Sequence, residues 1–299
     1  MHEDQLHIDV DIARRLIDES FPQLRSASVR PVDSSGTVNA IYRVGKFAAA
    51  RFPLQGTDPE AVQGWLDSEA DATAEFAGCS PFATPRSLGF GRPGWSYPLP
   101  WSLQTWLDGV IATPTGLETS DVFAADIATL LESLRQADTR GREFDGEGRG
   151  GVIGDQDEWM RTCFANSGDL LDVPLLRSMW RELRTLPPAD VTVMSHKDLT
   201  PANILVTGER VVAVLDAGGF GPADPALDLL ATWHLLDHDR RTVVRTRLGV
   251  SGDEWLRGAA WAFTQAMGVV WYYDRTNPTM SAFGRTTLQR LIDDLEIPR

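Results

Sequence analysis

The chain has 299 residues, enough to bury two separate cores; 42% are hydrophobic, yet no apolar run reaches the ~20 residues that cross a bilayer. A formal charge of −14 argues against a nucleic-acid surface, where Lys and Arg must neutralise phosphate, and is compatible with a cationic partner or simply a well-solvated one. Two cysteines, Cys79 and Cys163, make no disulfide framework, and the acidic start lacks the basic-then-apolar pattern of a secretory signal, so the cytoplasm is the expected location. Only two lysines occur, Lys46 and Lys197, which leaves few residues for any role that demands lysine.

In chain order, "IDVDIARRLIDESF" puts Ile8, Ile12, Leu16 and Ile17 on one helical face, stopped by Pro22. From Ser28 to about Leu54 the pattern turns to short β-type runs punctuated by Ser-Ser-Gly and Gly-Lys, which predicts three strands. "DPEAVQGWLDSEADATAEFAG" returns to helical spacing and ends near Gly78. "SLGFGRPGWSYPLPWSLQTWLDG" reads as two further strands joined by a glycine turn. Beyond Asp108 the chain is mostly helical: Phe123, Ile127, Leu130, Leu131 and Leu134 form a core-facing stripe, and a Gly-rich charged loop precedes another helix. Two short strands bracket "HKDLTPAN", and from Pro225 to Leu295 the pattern is helix broken at "TNPTM". The fold class expected is α+β and bilobal, a small β-rich lobe over residues 1–106 followed by a larger α-helical lobe over 107–299.

Three motifs invite a reading that their context rejects. "GFGRPG" (Gly89 to Gly94) matches G-x-G-x-x-G, but "WSYPLPW" follows where a helix would have to begin, so a hairpin turn is expected. "HIDV" at His7 opens an amphipathic helix and has Arg14 where an amide would be needed. His234 and His238 stand four apart on a helix, as zinc ligands can, but lack an adjacent Glu or a nearby Cys; core or surface histidines are expected.

The stretch His196 to Asn203 remains. Phosphoryl transfer needs an acceptor for the attacking hydroxyl's proton, ligands for the nucleotide's magnesium, and a phosphate cradle. "HKDLTPAN" fits the catalytic-loop pattern H-R-D-L-x-x-x-N with Lys197 in place of Arg. Asp198 would take the proton, Asn203 would offer its amide oxygen to Mg²⁺, and His196 would pack beneath the loop. "VVAVLDAGGFG" runs a strand into a glycine turn and places Asp216 as a second metal ligand. Asp and Asn belong in turns anyway, but their joint occurrence at this spacing between apolar strands is not ordinary turn chemistry.

On "HKDLTPANILV", "VLDAGGFG" and "DPALDLL" the chain resembles the aminoglycoside phosphotransferase family, protein-kinase-like enzymes that phosphorylate small molecules. The resemblance extends over almost the whole length and is weaker in the first hundred residues. It implies a nucleotide-binding N-terminal lobe, a catalytic and acceptor-binding C-terminal lobe, Mg²⁺, and ATP or GTP as phosphate donor. It also implies that Asp228 fixes the catalytic-loop backbone, with Asp224 as a nearby rival. "DSSGTVNAIYRV" resembles the loop over the phosphates, with Ser35, Gly36 and Asn39 as donors. Arg51 of "FAAARFP" would stand where kinases carry the phosphate-binding lysine, paired with Glu69 or, failing that, Glu75. Gln104, Thr105 and Trp106 would meet the base, although Trp106 also suits a core.

Only "AGGFGPA" separates Asp216 from "DPALDLL", too little for a peptide-holding segment, so the acceptor implied is a small molecule with a hydroxyl. An aminoglycoside-type antibiotic leads; a macrolide, choline or homoserine, or a non-catalytic nucleotide-binding module, are the alternatives. Asp155, Asp157 and Glu158 could meet ammonium groups, whereas Trp261, Trp271, Tyr272 and Tyr273 could meet a flatter molecule. No nucleic-acid or membrane partner is expected.

Overall fold

The computed structural model describes residues 6–32 and 38–298; Ser35 and Gly36 lie outside them. Helix α1 (Val10–Ser20) starts where the Asp9 carboxylate accepts from the Ile12 N–H at 2.8 Å, and it buries Ala13, Leu16 and Ile17. Five antiparallel strands follow: β1 (Val29–Pro31), β2 (Asn39–Val44), β3 (Ala48–Pro53), β4 (Ser87–Gly91) and β5 (Trp101–Thr105), in the order β1-β2-β3-β5-β4. Helix α2 (Pro59–Cys79) is inserted between β3 and β4, capped by Asp58 and opened by Pro59.

The "GFGRPG" stretch is the end of β4 and a turn, not a helix entry. Gly94 and Tyr97 exchange both backbone hydrogen bonds, with Trp95 and Ser96 at φ 51° and 71° between them, the backbone of a primed two-residue turn. Gly91 is a packing necessity, since a Cβ there would fall 2.0 Å from the Trp101 ring. That ring stacks on Phe52 at 4.7 Å and anchors the first of two buried apolar clusters, built from α1 and the sheet.

The second cluster belongs to the helical part. After residues 106–109 the short strand β6 (Val110–Ile111) pairs with β8 (Ile204–Thr207), which pairs with β9 (Arg210–Val214). Strand β7 (Val193–Ser195) pairs with β10 (Gly221–Ala223). The helices are α3 (Asp121–Gln136), α4 (Asp157–Asn166), α5 (Val173–Leu183), α6 (Leu230–Leu235), α7 (His238–Leu248), α8 (Gly252–Tyr272) and α9 (Pro278–Asp293). The α3 stripe read from the sequence is fully buried. Helix α8 is hidden on nearly every side, and Gly284 of α9 permits its closest approach: a Cβ there would lie 2.7 Å from Val269 and 2.8 Å from the Ala266 carbonyl. The break at "TNPTM" is present, with Asn277 capping α9.

The architecture is therefore α+β and bilobal, an antiparallel sheet followed by a helical region. Strands β6 and β10, two and three residues long, carry no readable period and were not expected from the sequence. Among the described residues no helix is long and apolar enough to cross a membrane.

Candidate active site

The loop between β7 and β8 is held from below by one carboxylate. Asp228, 6% exposed, accepts the backbone N–H of His196 at 2.9 Å and of Lys197 at 3.1 Å. Lys197 adopts φ 68°, a left-handed conformation that costs about 1–3 kcal/mol in a non-glycine residue and persists only where its surroundings enforce it. Burial pushes the Asp228 carboxyl up, against the pull of the His196 and Lys197 backbone donors and of Ser195. Its rival Asp224 is engaged elsewhere, with Arg257 at 3.0 Å, the Trp261 indole at 3.3 Å and the Ala226 N–H at 2.9 Å.

His196 is buried edge-on to Phe76, and its tautomer follows from its partners. Nδ1 accepts from the Asp198 N–H at 3.3 Å, so Nε2 carries the proton and donates to the Leu215 carbonyl at 2.9 Å. This ties the loop to the strand that ends at Asp216. The Leu215 N–H donates to the Asn203 carbonyl at 2.8 Å, a second tie. Asn203 Nδ2 donates to the Asp198 carbonyl at 2.8 Å and to Asp198 Oδ2 at 3.0 Å, which leaves the amide oxygen as the atom to offer a cation.

Asp216 is also left-handed, at φ 58°, and its side chain is half exposed. It accepts from Arg51 of β3 at 3.1 Å, while Glu69 of α2 lies 3.5 Å from the same guanidinium. Burial raises the Glu69 carboxyl; Arg51 pulls it down and Asp216 pushes it up again. Gly218 makes this meeting possible, because a Cβ there would sit 2.8 Å from Glu69 Cγ. Glu75 lies elsewhere, bound by Arg142 at 2.6 Å, and Lys46 is exposed in the β2–β3 turn.

Asn39 begins β2 with its amide oxygen buried and without a hydrogen-bond partner among the described residues. At the end of β5 the Thr105 N–H is spent on Arg86 and the Trp106 N–H on Phe47, and Thr105 Oγ1 accepts from the Arg86 N–H, so what these two residues have left to give a base is their carbonyls. Gln104 is half-buried beside them. Trp106 is not a core residue: Arg43 stacks on it at 4.5 Å and its indole donates to Asp108 at 3.0 Å.

Two side chains that the sequence did not flag converge on Asp198. Arg149 donates to Oδ1 at 2.8 Å and Gln265 of α8 donates to the same oxygen at 2.7 Å. Behind Gln265 stands His234, buried and linked to the amide oxygen at 2.9 Å and to Thr287 Oγ1 at 3.0 Å. Because an ionised carboxylate only accepts, the directions are fixed: Thr287 donates to His234, His234 to Gln265, Gln265 to Asp198. Burial holds the His234 imidazole down to about 3, so it is neutral, as this chain requires. Burial also raises the Asp198 carboxyl, but the charge and hydrogen bond of Arg149 and the hydrogen bond of Gln265 outweigh it and keep it below the usual carboxylate range. The signals were slight: an arginine between glycines in "GRGG", and a glutamine beside a threonine in the apolar run "WAFTQAM".

A cavity of about 660 Å³ opens beside Asp198, lined among others by Arg149, Asp155, Trp159, Gln265, Tyr272 and Tyr273. Of the other acids and aromatics expected around the acceptor, Asp157 is bound to Arg184 and to the Trp180 indole, and Glu158 is exposed beside Arg161. Trp261 is fully buried against Asp224, and Trp271 is partly buried in the helical core. Among the described residues no three His, Cys, Asp or Glu side chains cluster to hold a metal by themselves. The pair Asn203 and Asp216 instead suits a hard cation that brings oxygen ligands of its own, as magnesium does with a nucleotide. His238 meets Asp294, not His234.

A sequence model of APH, the phosphotransferase enzyme family, matches residues 29–262. The chain belongs to that family. Its fold is similar to that of the GDP and kanamycin complex of APH(2")-IIIa, at 16% identity and TM-score 0.72, covering 95% of this chain and 99% of that one. It is also similar to macrolide 2'-phosphotransferase MphH from Brachybacterium faecium, at 19% identity and TM-score 0.61, covering 93% and 97%. A third likeness is to the streptomycin-ATP-APH(2")-IIa ternary complex, at 14% identity and TM-score 0.58, covering 95% and 97%. No curated protein matches the chain by sequence.

Proposed function

We propose that this phosphotransferase-family protein moves the γ-phosphoryl group of ATP or GTP to a hydroxyl of a small molecule, with Asp198 as the base. The observation that carries the reading is the hydrogen-bonded unit of Asp198, Asn203 and the Leu215–Asp216 segment, which faces Arg51 and its partner Glu69. Membership of the family and the nucleotide complexes among the similar folds support it.

The acceptor oxygen attacks the γ-phosphorus, the bond to the β–γ bridging oxygen breaks, the nucleoside diphosphate leaves, and the acceptor's proton passes to Asp198. A carboxylate held below its usual range is a weak base. It therefore orients the hydroxyl first and takes the proton late, when bonding to phosphorus has made that proton acidic. Magnesium, when bound, would neutralise charge on the phosphate oxygens. Asn203 and Asp216 are the residues to hold it, Arg51 reaches the α- and β-phosphates, and Glu69 keeps Arg51 extended. Asn39 presents its amide at the phosphate-covering side, and Gln104, Thr105 and Trp106 border the base. Asp228 and His196 keep the loop in its strained shape.

Residues 217–223 are all that separates Asp216 from Asp224, too short a segment to hold a peptide, which supports a small-molecule acceptor. The similar folds include an aminoglycoside 2'-phosphotransferase and a macrolide 2'-phosphotransferase, which supports acceptors of those classes. The test is nucleoside-diphosphate release by the full chain with amino sugars, macrolides, choline-like alcohols and hydroxy acids in turn. Release that depends on the acceptor and disappears in Asp198→Asn is the expected result. Magnesium-nucleotide binding with no release in any case would leave a nucleotide-binding module in place of an enzyme.

A further inference from the structure

The cavity beside Asp198 is built for a different charge from that of a polyamine. Of the described residues lining it, Asp155 is the one carboxylate and Arg149 the one cation. Each ammonium group of an amino sugar needs a partner once water is stripped from it, and one carboxylate serves one such group. Three aromatic rings, Trp159, Tyr272 and Tyr273, stand among the lining residues. Trp159 lies against α8 because residue 268 is glycine; a Cβ there would come within 2.6 Å of the indole, whose nitrogen donates to the Thr264 carbonyl at 3.4 Å. Forty per cent of Trp159 stays exposed, and Val269 and Tyr272 also line the cavity.

Arg149 is positioned rather than dangling. The following residue, Gly150, accepts from the Asp224 N–H at 2.7 Å and has φ 125°; a Cβ there would strike Ala223 at 2.7 Å, so the backbone is pinned against β10. The guanidinium fork carries five N–H donors; one goes to Asp198, and about a quarter of the side chain (26%) remains accessible. A planar fork with one edge on the base and donors left over is suited to a second, bidentate partner, for which a carboxylate is the natural shape.

We propose that the acceptor bears an anionic group, of the carboxylate class, gripped by Arg149 while the same guanidinium holds Asp198, and an aromatic or alicyclic body lying against Trp159, Val269 and Tyr272. The acceptor is thus a hydroxylated aromatic or alicyclic carboxylic acid carrying at most one ammonium group, placed at Asp155. Arg149 then sets the distance between the acceptor's hydroxyl and the base, because one rigid group contacts both. This inference rests on the phosphotransferase reading and narrows its substrate class.

The experiment uses the full chain with magnesium-ATP and magnesium-GTP, and a set of hydroxylated aromatic and alicyclic carboxylates, each beside its methyl ester and its primary-amine counterpart, with kanamycin as the polycation. Nucleoside-diphosphate release is measured for the wild type, Arg149→Gln and Arg149→Lys, and magnesium-nucleotide binding is measured separately. The expected result is that carboxylates exceed their esters and amines in kcat/KM by about tenfold to a hundredfold, the range of a charge-assisted pair. That preference collapses in Arg149→Gln and survives in part in Arg149→Lys, which keeps the charge and loses the fork. Comparing each carboxylate with its own ester cancels whatever Arg149 does for Asp198 itself. Nucleotide binding with no carboxylate preferred, turnover of none included, overturns the inference alone. So does a preference for kanamycin, or a carboxylate preference undiminished in Arg149→Gln. An equal loss for acid and ester would instead assign Arg149 to the transferring phosphoryl group. Absence of magnesium-nucleotide binding overturns the phosphotransferase reading and this inference with it.

Discussion

His234 gives the chain a pH-dependent stability that can be isolated by one substitution. In the unfolded chain its imidazole titrates at 6.5, whereas burial in the fold holds it down to about 3. Between those values the unfolded state binds a proton that the folded state refuses, so stability is complete above 6.5 and is lost as pH falls toward 3. At about pH 5 the unfolded histidine is ~1.5 pH units below its titration point, and at ~1.4 kcal/mol per unit the loss is ~2 kcal/mol relative to about pH 7.5. In a chain of this size that is a melting-temperature decrease of about 3 °C from this residue alone. The assay is urea unfolding of wild type and His234→Gln at both pH values. Every other titrating group is common to the pair, so the variant should lose ~2 kcal/mol less than the wild type over the interval. Equal losses would refute the reasoning, because they would mean that His234 is not held neutral in the fold and cannot fix the direction of the Gln265 amide.

The neighbouring residues give further expectations. Asp198→Asn should lower kcat by about a hundredfold or more while leaving magnesium-nucleotide affinity within a few-fold, and Asp216→Asn should chiefly weaken that affinity; isothermal titration beside single-turnover kinetics separates them, and two identical phenotypes would contradict the division of roles. Gln265→Leu removes a donor from Asp198 and should move the acid limb of the kcat/KM profile upward in pH, with an unmoved limb excluding a part in setting the base. Asp228→Ala strands the buried His196 N–H and leaves the Lys197 N–H only Ser195 Oγ, so it should cost about 1–3 kcal/mol in denaturant unfolding, together with loss of turnover. Gly218→Ala forces a Cβ toward Glu69, so KM for the nucleotide should rise more than kcat falls; unchanged nucleotide kinetics would show that Glu69 does not steady Arg51.

The sequence by itself determined the elements whose signal is local. The α3 stripe, the Asp9 and Asp58 caps, the turns of the first sheet and the catalytic-loop pattern are all written within a few neighbouring residues, where period and turn chemistry act. Tertiary structure alone decided which of several equivalent acids meets which partner. Glu69 and Glu75 are alike in sequence, but α2 brings only the first to Arg51, through the space left by Gly218, and gives the second to Arg142. Asp224 and Asp228 lie four residues apart, yet one reaches Arg257 and the other the loop backbone. Arg149 and Gln265 come from distant segments and meet at Asp198, with His234 behind Gln265, only because the tertiary packing of β10, α6, α8 and α9 brings them there. A hydrogen bond depends on distance and direction within a few tenths of an ångström, and packing across the chain sets both.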